Sequence, residues 1–240
     1  MRADCLRVMP EVAAASIDLV LCDLPYGLTD SPRDQTVLPM PRVWAHYERL
    51  LKPRGTVVLF AQPPFCFQLL SSAPRNWFRY EWIWDKHAAS GFQWANQRPM
   101  RRHEVLMVFA PAPPPYHPQG LVKLEKARVR RTEQRGECYG SIPKGAQRLT
   151  GYPQSILHFG REMGARAFQK PTALLAYLIH AYTQPGDLVL DNTMGTGSTA
   201  VACVETGRRF VGMEKDRTAY RIAERRVTAA LAARAAVEAK

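Results

Sequence analysis

The chain has 240 residues, 46 % of them hydrophobic, which suits one globular domain with a full core. Its five cysteines, at 5, 22, 66, 138 and 203, form no C-x-x-C pair, which argues against a zinc ribbon or a disulfide framework. A net charge of +12 points to a polyanionic partner; no apolar run reaches spanning length and Met1-Arg2-Ala3-Asp4 does not read as a signal peptide, so a cytoplasmic protein with no membrane partner is expected.

Residues 4–13 read as a short helix that turns Leu6, Val8 and Met9 inward, with Asp4 as a candidate cap. Ser16 to Cys22 is an apolar run of strand length, and it ends in Asp23-Leu24-Pro25-Tyr26-Gly27. A strand that ends in an acid and turns through Pro and Gly sets side chains at the carboxyl edge of a sheet, where α/β proteins bind ligands. The stretch offers an acceptor carboxylate, a rigid turn and an aromatic face; taken alone, it is also an ordinary strand-to-turn junction. Leu28 to Met40 is polar, is broken by Pro32 and Pro39, and reads as a mobile loop over that edge, with Arg33 a solvated charge.

Pro41 to Leu51 reads as an amphipathic helix with Trp44, Tyr47, Leu50 and Leu51 on its core face. Thr56 to Phe60 reads as a buried strand, and Pro63 to about Ser71 as a helix. In Phe78 to Trp84 the alternation puts Tyr80, Trp82 and Trp84 on one strand face, expected beneath helices. Lys86 to Gln97 reads as a loop near the same sheet edge, with Phe92 or Trp94 available to wall a ligand there. His103 to Phe109 is the next strand; His103 and Glu104 are read as a structural pair, and no second His there supports a metal.

Five prolines between Pro111 and Pro118 interrupt this pattern, and the composition then shifts. Residues 121–150 carry Lys123, Lys126, Arg128, Arg130, Arg131, Arg135, Lys144 and Arg148 against Glu125, Glu133 and Glu137. Such a segment suits phosphate contact, and Arg can read guanine edges; a solvated basic loop is the plainer alternative. Lys170-Pro171 opens a helix through about Thr183 with Leu174, Leu175, Leu178 and Ile179 as its stripe. From Asp216 onward an Ala/Arg-rich helix is expected, with Ile222, Ala223, Val227, Ala230 and Leu231 inward.

Between these helices Asp187 to Asp191 reads as a strand, Asn192 to Gly197 as a Gly-rich loop, and Ser198 to about Thr206 as a helix. Phe210 to Glu214 is a further strand ending in an acid. Glycines let a backbone approach a ligand, the helix start adds free N–H donors, and an acid after the next strand stands where a ribose hydroxyl is held. This is the pattern of a nucleoside-cofactor site. Gly195-x-Gly197-x-x-Ala200 also fits the dinucleotide pattern, so NAD is a rival. A second acid, Asp191, at the strand end suits a cationic ligand and repels a pyrophosphate, which favours a sulfonium cofactor with a free amino group.

The two stretches together resemble the permuted, β-group amino-methyltransferases of DNA, in which D-P-P-Y comes first and F-x-G-x-G last. The resemblance spans nearly the whole chain. It includes Ala3-Asp4-Cys5-Leu6, Ser16-Ile17-Asp18-Leu19, Leu50 to Gly55, Trp84-Asp85-Lys86, His103-Glu104, and Gln169-Lys170-Pro171 before Leu174-Leu175. The chain departs from the family in three places. Leu24 replaces the first Pro of D-P-P-Y, where only a main-chain carbonyl is required. Met194 replaces the Phe of F-x-G-x-G and is still apolar. Arg166-Ala167-Phe168 stands where the family has H-P-T.

The resemblance implies a class I S-adenosylmethionine-dependent methyltransferase fold. That is a permuted, doubly wound, mostly parallel seven-stranded α/β sheet with an antiparallel strand at one end. One catalytic domain would cover residues 1–240, with a target-recognition segment embedded at about 112–165. It implies Asp23, Leu24, Pro25 and Tyr26 as the catalytic motif. For the cofactor, S-adenosylmethionine, it implies Asp191, Met194, Gly195, Gly197, Ser198 and Glu214, with Lys170 and Pro171 on the far side and Asp4 and Cys5 near the adenine end. The eight basic residues of 121–150 fall in the DNA-recognition slot. The expected reaction is transfer of a methyl group to adenine N6 in double-stranded DNA by base flipping. Cytosine N4 is the alternative, RNA a lesser one, and a non-catalytic DNA-binding module the rival from another class. A homodimer, and a companion nuclease of a restriction-modification pair, are compatible with the sequence but not specified by it.

Overall fold

The computed structural model describes residues 1–29, 34–130, 134–136, 140–142, 145–162 and 169–239, with the side chains of 130–144 outside that description. The chain divides into two units, Met1–His117 with Ser155–Lys240, and Pro118–Gln154.

The first unit is built on a seven-stranded sheet. In chain order its strands are β1 (Ile17–Cys22), β2 (Leu51–Ala61), β3 (Phe78–Ser90), β4 (Arg101–Phe109), β9 (Ile156–His158), β10 (Leu188–Asp191) and β11 (Arg209–Gly212). Their spatial order is β11-β10-β1-β2-β4-β3-β9. Among the described residues six α-helices accompany them: α1 (Cys5–Val8), α2 (Met40–Leu50), α3 (Phe65–Ser72), α4 (Thr172–Tyr182), α5 (Ser198–Thr206) and α6 (Arg217–Glu238).

Period-two alternation makes the sheet doubly covered. Val20, Cys22, Val57, Leu59 and Ala61 point into one core with Trp44, Tyr47 and Leu50 of α2 and Phe65 and Leu69 of α3. Leu19, Leu21, Val58 and Phe60 point into the other, with Leu174, Leu175, Leu178 and Ile179 of α4 and Ala202 and Cys203 of α5. Trp82 and Trp84 lie in that second core, where Trp82 Nε1 donates to Tyr182 Oη at 2.6 Å, so the aromatic face does pack beneath a helix.

Three expectations need correction. The antiparallel strand is β4, and it lies between β2 and β3 rather than at the end of the sheet. A short connection from β3 makes this natural, because antiparallel neighbours need no crossover. Residues 86–90, expected in a loop, continue β3 through Ser90; a register shift after Asp85 and a left-handed His87 (φ +59°) carry the strand onward. Leu231 is 54 % exposed, because α6 buries only its early Ala219 and Ala223 and outruns its support. Among the described residues no helix is long and apolar enough to cross a membrane.

The second unit, taken by itself, is two antiparallel ribbons. β5 (Val122–Arg130) pairs with β8 (Gly145–Thr150), and β6 (Gln134–Gly136) pairs with β7 (Gly140–Ile142). The basic stretch is therefore strand-forming rather than a plain loop. Lys123, Lys126, Arg128 and Arg148 are exposed on it. Arg131 and Lys144 lie outside the described residues, as do the side chains of Arg130 and Arg135.

Candidate active site

The site forms at the carboxyl edge of the sheet, where β1 and β10 run parallel side by side, Leu19 opposite Val189 and Val20 opposite Leu190. This register brings two motifs together that are 170 residues apart in the chain. Thr193 Oγ1 donates to the Asp23 carbonyl at 3.1 Å, and Cys22 Sγ donates to Asn192 Oδ1 at 3.0 Å. The turn after β1 and the turn after β10 are thus bonded to each other directly.

Asp23 follows the last residue of β1. Its Oδ1 accepts the Tyr26 hydroxyl at 2.6 Å and its Oδ2 accepts the Lys170 ammonium at 2.7 Å. Its side chain keeps 36 % of its surface open, yet the packing around the carboxyl makes burial the dominant influence and pushes its pKa up, with Lys170 opposing. Leu24 turns its side chain into the core, and its carbonyl accepts no hydrogen bond from a described residue. Pro25 makes the turn. Tyr26 stacks on Phe65, ring centroids 5.2 Å apart and 28° from parallel. Burial and the neighbouring Asp23 hold its phenol well above the usual range, so it stays a neutral donor.

Asp34 fixes this turn. Its carboxylate accepts the backbone N–H groups of Tyr26, Gly27, Leu28 and Thr29 at 2.6, 3.1, 2.8 and 2.6 Å. Burial pushes its carboxyl up, but the N–H groups of Tyr26, Leu28 and Thr29 and the Thr29 hydroxyl outweigh it and leave the pKa below the ordinary value. Arg33, beside it, lies outside the described residues.

The glycine loop is fastened from three sides. Gly195 and Gly197 take left-handed φ values of +54° and +79°. At Gly197 a Cβ would stand 2.8 Å from that of Ala223 on α6, so only glycine fits. Glu214, after β11, accepts the Gly195 N–H at 3.0 Å and the Asp216 N–H at 2.7 Å. Arg226 donates to the Thr196 carbonyl at 2.9 Å and to Ser198 Oγ at 3.0 Å. Gln169 Oε1 accepts from Thr196 Oγ1 at 3.2 Å. Met194 bonds through its N–H to the Met213 carbonyl, and its sulfur lies against Gly212.

Asp191 closes β10 and is 4 % exposed. It accepts the Thr193 N–H at 3.1 Å and forms no ion pair among the described residues. Burial pushes its pKa up to about 7, with the Thr199 hydroxyl and the Thr193 N–H opposing. The Asn192 side-chain nitrogen beside it is buried without a described partner, while Asn192 Oδ1 accepts the Tyr47 hydroxyl at 2.7 Å. A buried carboxyl without a cation and an orphaned amide donor are both what a cationic, polar ligand would satisfy. The residues present therefore fit an adenosine-bearing sulfonium.

Asp4 caps α1 by accepting the Leu6 N–H at 2.9 Å. The N-terminal stretch also pairs with Glu214, whose N–H reaches the Met1 carbonyl and whose carbonyl accepts from Ala3. Asp4, Cys5 and Glu214 thus share one end of the site. Burial raises the Cys5 and Cys22 thiols, so neither offers a thiolate.

Lys170 stands on Asp23, while its neighbour Gln169 reaches the glycine loop and Pro171 starts α4. Glu104 does not pair with His103. It turns inward at the head of β4, its Oε1 3.4 Å from Lys86 Nζ and its Oε2 3.1 Å from Lys170 Nζ. This Asp23–Lys170–Glu104–Lys86 chain, like Asp34, Gln169 and Arg226, was not assigned from sequence. Its lysines and glutamate stand in the W-D-K, H-E and Q-K-P motifs, which was the available signal. Phe92 and Trp94 are exposed, and Arg98 lies over the Trp94 ring at 5.4 Å.

Among the described residues Asp85, His87 and His158 bring ligand atoms within 4.8 Å of one another. Asp85 is already held by Arg102 at 2.8 and 3.0 Å and by His158 Nδ1 at 3.2 Å. The Arg102 bonds keep its carboxyl far below the usual range.

Comparison with known proteins fits this geometry. The family model described as DNA methylase (N6_N4_Mtase) matches residues 17–225. DNA adenine methyltransferase YhdJ of Escherichia coli K12 is 26 % identical over 236 residues, covering 89 % of this chain and 77 % of that one. Type II methyltransferase M2.DpnII of Streptococcus pneumoniae is 39 % identical over a shorter stretch of 66 residues, 28 % of this chain and 25 % of that one. Among solved structures, the M1.HpyAVI–SAM complex superimposes with a TM-score of 0.65 at 19 % identity, covering 95 % and 97 % of the two chains. The cytosine-N4-specific PvuII DNA methyltransferase gives 0.63 at 15 % identity, covering 93 % and 84 %. At these identities the structural likeness establishes the fold.

Proposed function

The chain belongs to the DNA methylase family, and from that premise we propose that it methylates the N6 amino group of adenine in duplex DNA through Asp23, Leu24, Pro25 and Tyr26. It is an S-adenosylmethionine-dependent DNA methyltransferase. The observation that carries the site assignment is the direct bond between the turns after β1 and β10, which sets an acceptor carboxylate beside the glycine loop.

When bound, S-adenosylmethionine supplies an electrophilic methyl group on a sulfonium that leaves readily. Asp191 would hold its ammonium, the Gly195–Gly197 backbone would let it approach, and Glu214 would take the ribose hydroxyls, with Asp4 and Cys5 near the adenine. An exocyclic amino group in a duplex is buried in the stack, so the base must be extruded to reach Asp23. Asp23 Oδ2 and the Leu24 carbonyl then each accept one N–H, which leaves the nitrogen lone pair facing the donor. Tyr26, braced by Phe65, stacks on the ring. The proton that nitrogen sheds as its new N–C bond forms can pass to Asp23 Oδ2, whose affinity for protons burial raises. Positioning and electrostatics carry the barrier, and no covalent enzyme intermediate is needed.

Adenine is favoured because the motif begins with Asp, and because YhdJ, matched over most of both chains, is an adenine enzyme. Cytosine N4 is the second reading, supported by the likeness to the PvuII enzyme. The 118–154 unit is the proposed target-recognition segment. It lies within the 112–165 slot, and Lys123, Lys126, Arg128 and Arg148 present positive charge on it. The test is transfer from labelled S-adenosylmethionine to unmethylated bacterial DNA. Wild-type protein should label the DNA and Asp23→Ala should not, while still binding S-adenosylhomocysteine. Normal turnover by Asp23→Ala would show that the site is elsewhere.

A further inference from the structure

Asp23 has two oxygens, and both are occupied. Tyr26 holds Oδ1, and the turn bonded to Asp34 holds Tyr26. The oxygen that an incoming amino group can claim is Oδ2, and Lys170 covers it at 2.7 Å. The Lys170 side chain is only 10 % exposed, with the Phe60 ring 5.0 Å from its ammonium. It cannot simply withdraw into water.

A second seat is already built. Glu104 Oε2 is buried and lies 3.1 Å from the same ammonium, farther from it than Asp23 Oδ2 at 2.7 Å. The other oxygen of Glu104 is anchored by Lys86 at 3.4 Å. Lys170 therefore stands within reach of two carboxylates and is held more closely by one. Two acids and two lysines balance in charge, so moving the ammonium from one seat to the other leaves the buried cluster neutral.

Resting on the reading of Asp23 as the amino-group acceptor, we propose that Lys170 is a positioning residue that passes between two seats. It sits on Asp23 Oδ2 before the base enters, and on Glu104 Oε2 once the amino group has replaced it. Lys170 stays protonated throughout, and no bond to it forms or breaks. In the first seat it keeps Asp23 ionised and aimed. Releasing it onto Glu104 clears Oδ2 without leaving a buried ammonium unpaired.

The groups around Asp23 agree with this. Facing it are Lys170, Glu104 on β4, Tyr26 in its own turn, and Asp191 on β10, with Asp34 behind Tyr26 and Lys86 behind Glu104. Burial lowers the proton affinity of Lys170, but Asp23 and Glu104 outweigh it and hold its pKa above the usual lysine value. Burial raises that of Glu104, but Lys170 and Lys86 outweigh it and keep Glu104 ionised.

The test uses Lys170→Met, Lys170→Arg, Glu104→Gln and the double variant Lys170→Met/Glu104→Gln, each checked for fold by S-adenosylhomocysteine binding. Asp23 is titrated by carbon-13 NMR of carboxyl-labelled aspartate, its resonance assigned by loss in Asp23→Asn. Lys170→Met should raise the Asp23 midpoint by about one unit or more, Lys170→Arg should restore it, and Glu104→Gln should lower it. In methyl transfer to DNA, Glu104→Gln should raise KM for DNA about tenfold to a hundredfold, the worth of one charge-assisted hydrogen bond. Adding Lys170→Met should relieve that defect, because no ammonium is left on Oδ2. A double variant worse than Glu104→Gln alone, or an Asp23 midpoint unmoved by Lys170→Met, would overturn the proposal. A wild type that transfers no methyl group while these titration shifts are intact would count against the methyl-transfer reading and not against the lysine's hold on Asp23.

Discussion

Replacing Asp191 by Asn should make the cofactor-free protein more stable at pH 8 and less able to bind cofactor. Burial raises the Asp191 pKa from an ordinary 3.8 to about 7 in the folded protein. The folded state therefore holds more protons on this group than the unfolded chain between those two values. Stability then falls as pH rises through that window, and above about pH 7 the full cost of a buried, unpaired carboxylate is present. At about 1.4 kcal/mol per pKa unit, that cost is on the order of 4 kcal/mol. Asn keeps an acceptor for the Thr193 N–H at 3.1 Å but carries no charge. The gain should be near zero around pH 4, open between pH 4 and 7, and level off above, with lost hydrogen bonding to Thr199 reducing its size. Urea denaturation of both proteins from pH 4 to 8 measures it. Stabilisation of the wild type by S-adenosylhomocysteine should grow over the same window, as Asp191 becomes an anion for the ligand's ammonium, and Asp191→Asn should lose most of it. An Asp191→Asn protein that is no more stable than wild type at pH 8, or whose advantage does not vary with pH, would refute this reasoning.

Gly197→Ala should destabilise the fold by at least about 1–2 kcal/mol from its left-handed backbone alone, with a further cost as the new methyl meets Ala223; thermal unfolding and S-adenosylhomocysteine titration should both report it. Asp34→Ala should free the backbone N–H groups of Tyr26, Leu28 and Thr29, leave Gly27 only its bond to the residue-34 carbonyl, and loosen the turn that carries Tyr26, lowering the methyl-transfer rate while cofactor-analogue binding is unchanged. Replacing Lys123, Arg128 and Arg148 by Gln should flatten the log–log salt dependence of DNA binding by about 0.9 for each phosphate no longer neutralised, again with cofactor-analogue binding intact. An unchanged slope would remove the 118–154 ribbons from the DNA interface.

Much of this fold is legible in the sequence because burial writes a period. The apolar run before Asp23, the stripe Leu174, Leu175, Leu178 and Ile179, and the face of Tyr80, Trp82 and Trp84 each show which side meets a core, and those assignments match the structure. The glycine loop is legible for another reason, since left-handed backbone at Gly195 and Gly197 restricts which residues can stand there. Charged partners leave no such trace. Lys170 meets Asp23 across 147 residues, and Glu104 meets Lys170 only because β4 lies between β2 and β3. Local pattern carries neither the strand order nor the register. The continuation of β3 through His87 was hidden likewise, because a polar strand end looks like a loop until its partner, Arg101 opposite Ser90, is known.

The most direct test of the central claim is base-resolution sequencing of modified bases in DNA from cells that express this protein, beside cells expressing Asp23→Ala. N6-methyladenine within one short motif is expected in the first and none above background in the second. The same mark in both, or its absence from both despite soluble wild-type protein that binds S-adenosylhomocysteine, would contradict the assignment of adenine methylation to Asp23.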